Sequence, residues 1–232
     1  MTKVAKPTVS WQELQKRKLA VMAESVKHFK EVSGIKILIH PNVYPPGTDT
    51  HLMANTVRIK PGDDTLDLGT GTGTIACKLA LLGARSVLGT DMNPRAIANA
   101  NENKELLGLK NVNFRPGNVF DGIDKKFDVI ATNLPYTNKR ATNDIDICFY
   151  DKGHRVLRDF FAGLRAHLKP DGIAYVAWSN ISSMDLLPKL AKEHDFILNL
   201  VSEDVGGRGY TFYVYSLKDL ASKQNLPRNV EE

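Results

Sequence analysis

The nine residues Thr65-Leu66-Asp67-Leu68-Gly69-Thr70-Gly71-Thr72-Gly73 constrain this chain more than any other stretch. A short apolar run ends in an acid and then breaks into alternating glycines, the pattern of a strand that turns sharply into a helix. Glycine has no Cβ, so at 69, 71 and 73 the backbone can take φ > 0 and approach a bound group closely. Thr74 to Leu82 follows with helical apolar spacing. Its first N–H groups lack partners within the helix and face whatever sits over the loop. A nucleotide-like ligand suits that arrangement, although a glycine-rich turn of purely structural origin would read the same way.

Spacing narrows the choice. The dinucleotide fingerprint is G-x-G-x-x-G, whereas this loop reads G-x-G-x-G, which argues against a nicotinamide-dependent oxidoreductase. A P-loop needs a lysine directly after its last glycine, and here none follows until Lys78. Ser86-Val87-Leu88-Gly89-Thr90-Asp91 then reads as a short strand ending in a second acid, 24 residues after Asp67 (91 − 67). That offset is close to the ~20 residues at which an acid meets ribose hydroxyls in nucleotide-binding α/β units. A carboxylate can accept from both hydroxyls of one ribose. Asp91 could also cap the helix expected from Pro94, as could Asn93, and the two roles need not compete.

A third element, Asn133-Leu134-Pro135-Tyr136, follows the apolar strand Phe127 to Thr132. Ligands of doubly wound sheets bind outside the carboxyl ends of strands, so the tetrapeptide should fall beside the glycine loop. The tetrapeptide resembles the N/D-P-P-Y/F/W signature of methyltransferases that act on planar nitrogen. That resemblance implies an exocyclic amine or carboxamide –NH₂ as target, a poor nucleophile because its lone pair is delocalised. The Asn133 side-chain oxygen and the Leu134 carbonyl could accept its two protons, orient the nitrogen and stabilise developing positive charge. The Tyr136 ring could stack on the planar group, and Pro135 would stiffen the turn. An ordinary strand-end turn is the alternative.

The order acid–glycines–acid–tetrapeptide resembles the class I S-adenosylmethionine-dependent methyltransferases. Leu134 in place of the usual Pro is similar to the family that dimethylates adenine in ribosomal RNA. Tyr44-Pro45-Pro46-Gly47-Thr48-Asp49-Thr50, followed by Leu52 and Met53, resembles HemK-type methyltransferases, especially the short form without a separate helical N-terminal domain. Phe120 after Gly117-Asn118-Val119, the expected helix Gly153 to Leu168, and Lys169-Pro170-Asp171-Gly172 continue the likeness, which runs from about 40 to 217.

The resemblance implies a doubly wound, mostly parallel seven-stranded sheet and S-adenosylmethionine as cofactor. Asp67, Gly69, Thr70, Gly71 and Gly73 would cradle the cofactor, Asp91 would hold its ribose, Asn118 and Val119 would meet its adenine, and Met92 would also contact the cofactor. Asn133, Leu134, Pro135 and Tyr136 would hold the target, with Asn133 also beside the cofactor. The relatives so implied methylate the side-chain amide of glutamine in release factors. Asn118 stands where the family usually has Asp, and Thr137 to Lys152 lacks its glycine-rich continuation. Small-molecule N-methylation and adenine N6 transfer use the same tetrapeptide and remain open. A non-catalytic binding module would be expected to lose Asn133 or Tyr136, and both are present.

The rest of the chain agrees with one enzyme domain. It has 232 residues, enough for a sizeable α/β core. Cys77 and Cys148 form no spacing motif, pointing to a reducing, cytoplasmic compartment. No apolar signal region opens the chain and no run approaches 18 apolar residues, which speaks against secretion and a membrane partner. The six histidines are scattered, leaving a metal site unsupported. Residues 1–36 hold eight basic residues against three acids, equal to the whole-chain net charge of +5, so residues 37–232 are formally neutral. Any nucleic-acid partner would therefore be attracted through the N-terminal segment. A protein or small-molecule substrate with a planar amide or amine fits the neutral remainder better.

Periodicity predicts an amphipathic helix from Ser10 to Val32, its stripe of Trp11, Leu14, Met22, Val26 and Phe29 packed on the core and Ser33-Gly34 ending it. It then predicts strands at 35–39, 64–68, 86–91, 111–115, 127–132, 172–178, 196–201 and 210–217, with helices at 49–59, 74–83, 94–107, 153–168 and 183–195. The last two strands, joined through Gly206-Gly207-Arg208-Gly209, read as an antiparallel hairpin. The expected organisation is an N-terminal extension (1–40), a catalytic domain (41–220) and a polar tail (221–232).

Overall fold

A computed structural model describes residues 9–143, 145–206 and 209–221, with Glu24 in its backbone alone. The basic Lys3 and Lys6, the tail beyond Ala221 and the Gly207-Arg208 pair lie outside the described residues. Five strands form a parallel run: β3 (Asp64–Leu68), β4 (Ser86–Asp91), β5 (Val112–Pro116), β6 (Phe127–Thr132) and β7 (Leu168–Ser179). Two more, β8 (Phe196–Val205) and β9 (Thr211–Asp219), pair antiparallel, giving the order β5-β4-β3-β6-β7-β9-β8. The fold is thus the seven-stranded, mostly parallel sheet with a C-terminal antiparallel hairpin that the sequence predicts.

All five residues of β3 are buried, as expected for a central parallel strand covered on both faces. Helices α2 (Thr48–Thr56), α3 (Thr74–Leu81), α4 (Pro94–Leu106), α5 (Arg155–His167) and α6 (Leu186–Glu193) cover the sheet. Among the described residues the largest fully buried side chains include Trp178 and Phe127 of the sheet and Phe160 and Phe161 of α5. Strand order reverses between β3 and β6, so the crevice at their carboxyl ends is the topological switch point where such sheets bind ligands.

The N-terminal region departs from its reading. Helix α1 runs only from Trp11 to Glu24, with the Ser10 hydroxyl accepting from Glu13 N. Residues His28–Val32 form β1, which pairs antiparallel with β2 (Ile35–Ile39) in a separate two-stranded sheet. Ser33 and Gly34 both have positive φ (50° and 78°), the geometry of a tight hairpin turn rather than of a helix end. Val26 and Phe29 are exposed and do not join the core stripe. The inner edge of β2 is tied to α4 by asparagines: Leu38 N donates to Asn103 Oδ1 (2.8 Å) and His40 N to Asn99 Oδ1 (2.9 Å). Asn103 Nδ2 also donates to Thr72 O (2.9 Å), joining this hairpin to the glycine loop.

The opposite end of the sheet is closed by charge. The Asp64 carboxylate accepts from Arg85, from Ser86 Oγ (2.7 Å) and from Lys169 Nζ (3.3 Å). Lys169 also donates to Asp128 Oδ2 (2.7 Å), and Asp128 accepts from Asp64 N. The Arg85 hydrogen bond, ahead of the others, holds Asp64 well below the usual carboxylate range. A carboxyl depressed on folding stabilises above its unfolded pKa of about 3.9 and loses that contribution as pH falls toward its folded value. Urea titrations are expected to show Asp64→Asn less stable than wild type at pH 7, with the gap narrowing toward pH 2. A gap independent of pH would show that the Asp64 ion pairs contribute nothing.

Candidate active site

The glycine loop forms as a series of left-handed residues: φ is 72° at Gly69, 55° at Gly71 and 80° at Gly73. Each glycine has its own reason. Gly69 and Gly71 line the switch-point cavity, where side chains would narrow it. Gly73 turns away from it, and a Cβ there would lie 2.9 Å from the Ala100 Cβ, so it lets α3 pack against α4. Gly89 on β4 acts similarly, since a Cβ would meet the Phe114 ring at 2.5 Å and Thr70 Oγ1 at 2.9 Å.

Asp67 braces the loop from beneath. It is fully buried, and its Oδ2 accepts from Thr70 Oγ1 (2.7 Å) and Ala76 N (3.1 Å). Its Oδ1 has no hydrogen-bond partner in the protein, and burial pushes the carboxyl up to about 7. Asp91 reaches over from β4: Oδ2 accepts from Gly71 N (2.9 Å) and Oδ1 from Asn93 N (2.8 Å). Asn93, not Asp91, caps α4, accepting from Arg95 N (2.9 Å). Each Asp91 oxygen keeps lone-pair capacity beyond its one backbone donor. Met92, Asn118 and Val119 line the same cavity. Val119 has φ 48°, a conformation unusual for a β-branched residue and the kind of strain that collects at ligand sites.

Asn133, Leu134, Pro135 and Tyr136 enter this cavity from the end of β6. Asn133 Nδ2 donates to Asp49 Oδ2 (3.1 Å), and the Tyr136 hydroxyl donates to Asn133 Oδ1 (2.5 Å) with Asp49 Oδ2 at 3.3 Å. The Tyr136 ring is buried, its neighbours being the Trp178 edge (centroids 5.9 Å apart) and Phe212. Tyr44 OH also donates to Asp49 Oδ2 (3.3 Å), and burial followed by the Asp49 charge raises both phenols well above their ordinary range. The structure thus gathers every predicted site residue at one end of the sheet, with Asp67 and Gly73 behind the cavity wall rather than on it.

Several participants were not singled out as site residues from the sequence. Asp49 is one, brought in by the first turn of α2. Helix α1 supplies others: Trp11 Nε1 and Gln15 Nε2 both donate to Thr137 Oγ1 (3.0 and 2.9 Å), directly after the tetrapeptide. Trp11 and Gln15 line the cavity, and Gln15 is buried. Lys18 lies 3.8 Å from the Tyr44 ring centroid, and desolvation lowers its pKa against the pull of Asp49. The basic run Lys16-Arg17-Lys18 is therefore not one solvated patch. Lys16 and Arg17 are exposed, whereas Lys18 is half-buried over the ring of Tyr44, which itself lines the cavity. From the 137–152 segment, Ile147, Cys148 and Phe149 complete the wall, and burial pushes the Cys148 thiol up to about 12. Among the described residues no group of three or more His, Cys, Asp or Glu side chains could hold a metal ion, and no helix is long and apolar enough to cross a membrane.

The cavity fits a nucleoside carrying a short charged tail. Gly69 and Gly71 leave part of its wall without side chains, Asp91 offers it a carboxylate with spare acceptor capacity, and the strained turn at Val119 also lines it. Comparisons with known proteins agree. Residues 59–227 match the family model described as "Methyltransferase domain". A protein named N5-glutamine methyltransferase from Methanocaldococcus jannaschii is 33% identical over 66% of this chain and 80% of its own length. A release factor glutamine methyltransferase of Fusobacterium nucleatum is 36% identical over 76% of this chain, and one of Deinococcus radiodurans 31% identical over 70%. The chain spans 55% and 64% of those two bacterial relatives. Among solved structures, ribosomal protein L11 methylase from Lactobacillus delbrueckii superposes with a TM-score of 0.60 at 23% identity, covering 78% of this chain and 84% of that one. That likeness concerns the fold. Glycine loop, the acid that ends β4, tetrapeptide and family match converge, and the chain belongs to the class I S-adenosylmethionine-dependent methyltransferases, in the group of the HemK-type enzymes.

Proposed function

We propose that this enzyme methylates the side-chain carboxamide of a glutamine in a protein substrate, of the release-factor kind named for its relatives. The observation carrying the reading is the convergence of Asn133 and the Leu134 turn on the cavity that the glycine loop and Asp91 border. Gly69, Thr70 and Gly71 would hold the cofactor with Asp91 at its ribose, while Asp67 supports the loop and Gly73 allows its close packing. Met92, Asn118 and Val119 would enclose the adenine end. When bound, S-adenosylmethionine supplies an electrophilic methyl group on sulfonium.

The chain's own part is orientation and charge. A carboxamide nitrogen becomes nucleophilic only as its lone pair leaves conjugation, so positive charge grows on the –NH₂. The Asn133 oxygen and the Leu134 carbonyl accept from its two protons and become better partners as that charge grows. Tyr136 and Pro135 hold the turn, and Trp11, Gln15 and Phe149 shield the cavity from water. The net charge of zero over residues 37–232 favours a neutral amide over a polyanionic substrate.

The test is incubation with methyl-labelled cofactor and purified release factor, beside RNA and small-molecule pools, followed by peptide mass spectrometry. One methyl on a glutamine side chain is the expected product. Label confined to RNA or to small molecules would overturn the glutamine assignment.

A further inference from the structure

The Asp49 carboxylate serves two masters. Its Oδ1 accepts from Thr50 N (2.9 Å) at the start of α2, an ordinary place for an acid in a first helical turn. Its Oδ2 points the other way, toward Asn133 Nδ2, the Tyr136 hydroxyl and the Tyr44 hydroxyl, at 3.1, 3.3 and 3.3 Å. Asp49 is 3% exposed. A Cβ at Gly47 would sit 2.7 Å from its Oδ1, so the glycine leaves room for the carboxylate to fold inward. Burying an acid costs free energy unless its oxygens are well supplied with donors. A helix N-terminus requires only one of the two oxygens, and the second is spent on the tetrapeptide.

The arrangement around Asn133 also holds a conflict. The glutamine reading, on which this inference rests, needs Asn133 Oδ1 free to accept from the substrate –NH₂, yet that oxygen accepts the Tyr136 hydroxyl. The hydroxyl has one proton and can serve one strong acceptor at a time. The alternative acceptor within reach is Asp49 Oδ2. A carboxylate only accepts, so it also forces the Asn133 amide to present its –NH₂ to Asp49 and its oxygen away.

We propose that Asp49 is a positioning residue for the acceptor: it holds the Asn133 amide in one sense, and it takes over the Tyr136 hydroxyl when the substrate –NH₂ claims Asn133 Oδ1. Asp49 touches neither reacting atom and acts through Asn133 and Tyr136. In Asp49→Asn an amide replaces the carboxylate, its own –NH₂ competes with three donors, and the hydroxyl stays on Asn133.

The test compares wild type, Asp49→Asn, Tyr136→Phe and the double variant, with cofactor binding by calorimetry and turnover on release factor. Asp49→Asn is expected to lower kcat about 10-fold or more while cofactor affinity stays within about two-fold. In the Tyr136→Phe background, where no hydroxyl needs a second acceptor, the same change should cost several-fold less. Equal losses in both backgrounds, or Asp49→Asn turnover within about three-fold of wild type, would overturn the proposal. Should Asp49→Asn fail to fold, Tyr136→Phe alone decides: its acceptor KM is expected unchanged or lower, and a several-fold rise would count against the hydroxyl exchange. The side-chain amide resonance of Asn133 needs no acceptor at all. It should show a strongly hydrogen-bonded –NH₂ in wild type that weakens in Asp49→Asn, and an unmoved resonance would overturn the proposal. A wild-type enzyme inactive on glutamine with the resonance behaving as expected would instead fail the glutamine reading alone.

Discussion

Asn133→Ala is expected to reduce methyl transfer by roughly 10²-fold or more while leaving cofactor affinity nearly intact, as when a preorganised acceptor is removed from a developing charge. The variant should fold, because the groups it abandons have other partners. The Tyr136 hydroxyl loses Asn133 Oδ1 but has Asp49 Oδ2 at 3.3 Å, and Asp49 Oδ2 keeps the Tyr44 hydroxyl. The glycine loop is braced by Asp67 and Asp91, neither of which touches Asn133 by hydrogen bond. The loss should therefore appear in kcat, measured by single turnover at saturating cofactor, with calorimetry showing unchanged cofactor binding. Turnover within a few-fold of wild type would mean that the Leu134 carbonyl and the cavity walls orient the acceptor unaided, and that Asn133 is a turn residue.

How much of this site could be read from the amino-acid order depends on how far each contact reaches along the chain. The glycine loop, Asp91 and the tetrapeptide are local events at strand ends, and a parallel sheet places such ends together by topology alone. Their spacing therefore carried the fold and most of the cavity. The finer division of labour was not local. Nothing in the pattern separates Gly69 and Gly71, which border the cavity, from Gly73, which faces Ala100 across two packed helices. Asp49 looks like any acid in a first helical turn until the 84-residue separation to Asn133 is closed by folding.

The N-terminal misreading has a different origin. Leu14, Met22, Val26 and Phe29 recur at spacings a helix can share, but His28 to Ile39 also alternates around a two-residue Ser33-Gly34 turn. Hairpin pairing won because Val32, Ile35, Ile37 and Ile39 bury together on one face, with Leu107 against them. Trp11 and Gln15 gave no motif signal either. Their hydrogen bonds to Thr137 cross 126 and 122 residues, and a helix with few core contacts was free to be placed over the cavity mouth.

Asp91→Ala should produce the complementary defect, a loss of cofactor affinity of roughly 10- to 100-fold, equivalent to about 1.4–2.8 kcal/mol. The structure adds a reason beyond the proposed ribose contact. Asp91 is the acceptor for Gly71 N and Asn93 N, so alanine removes the brace that joins the glycine loop to the start of α4. Two backbone donors at the cavity edge would then turn to water, and the cofactor would have to order the loop as it binds. Asp91→Asn should fall between, because its single amide oxygen can replace one of the two acceptors while its –NH₂ faces a donor. Burial already raises the Asp91 pKa above the ordinary carboxylate range, so cofactor binding should weaken as pH falls toward that raised value. In Asp91→Asn the part of that acid-side loss that belongs to Asp91 should vanish, leaving only what protonation of Asp67 beneath the loop contributes. Once cofactor saturates, kcat of Asp91→Ala should stay within a few-fold of wild type, because Asn133 and Leu134 are untouched. Calorimetry that found Asp91→Ala binding S-adenosylmethionine within about three-fold of wild type would reduce Asp91 to a loop brace and move the ribose contact to another residue of the cavity.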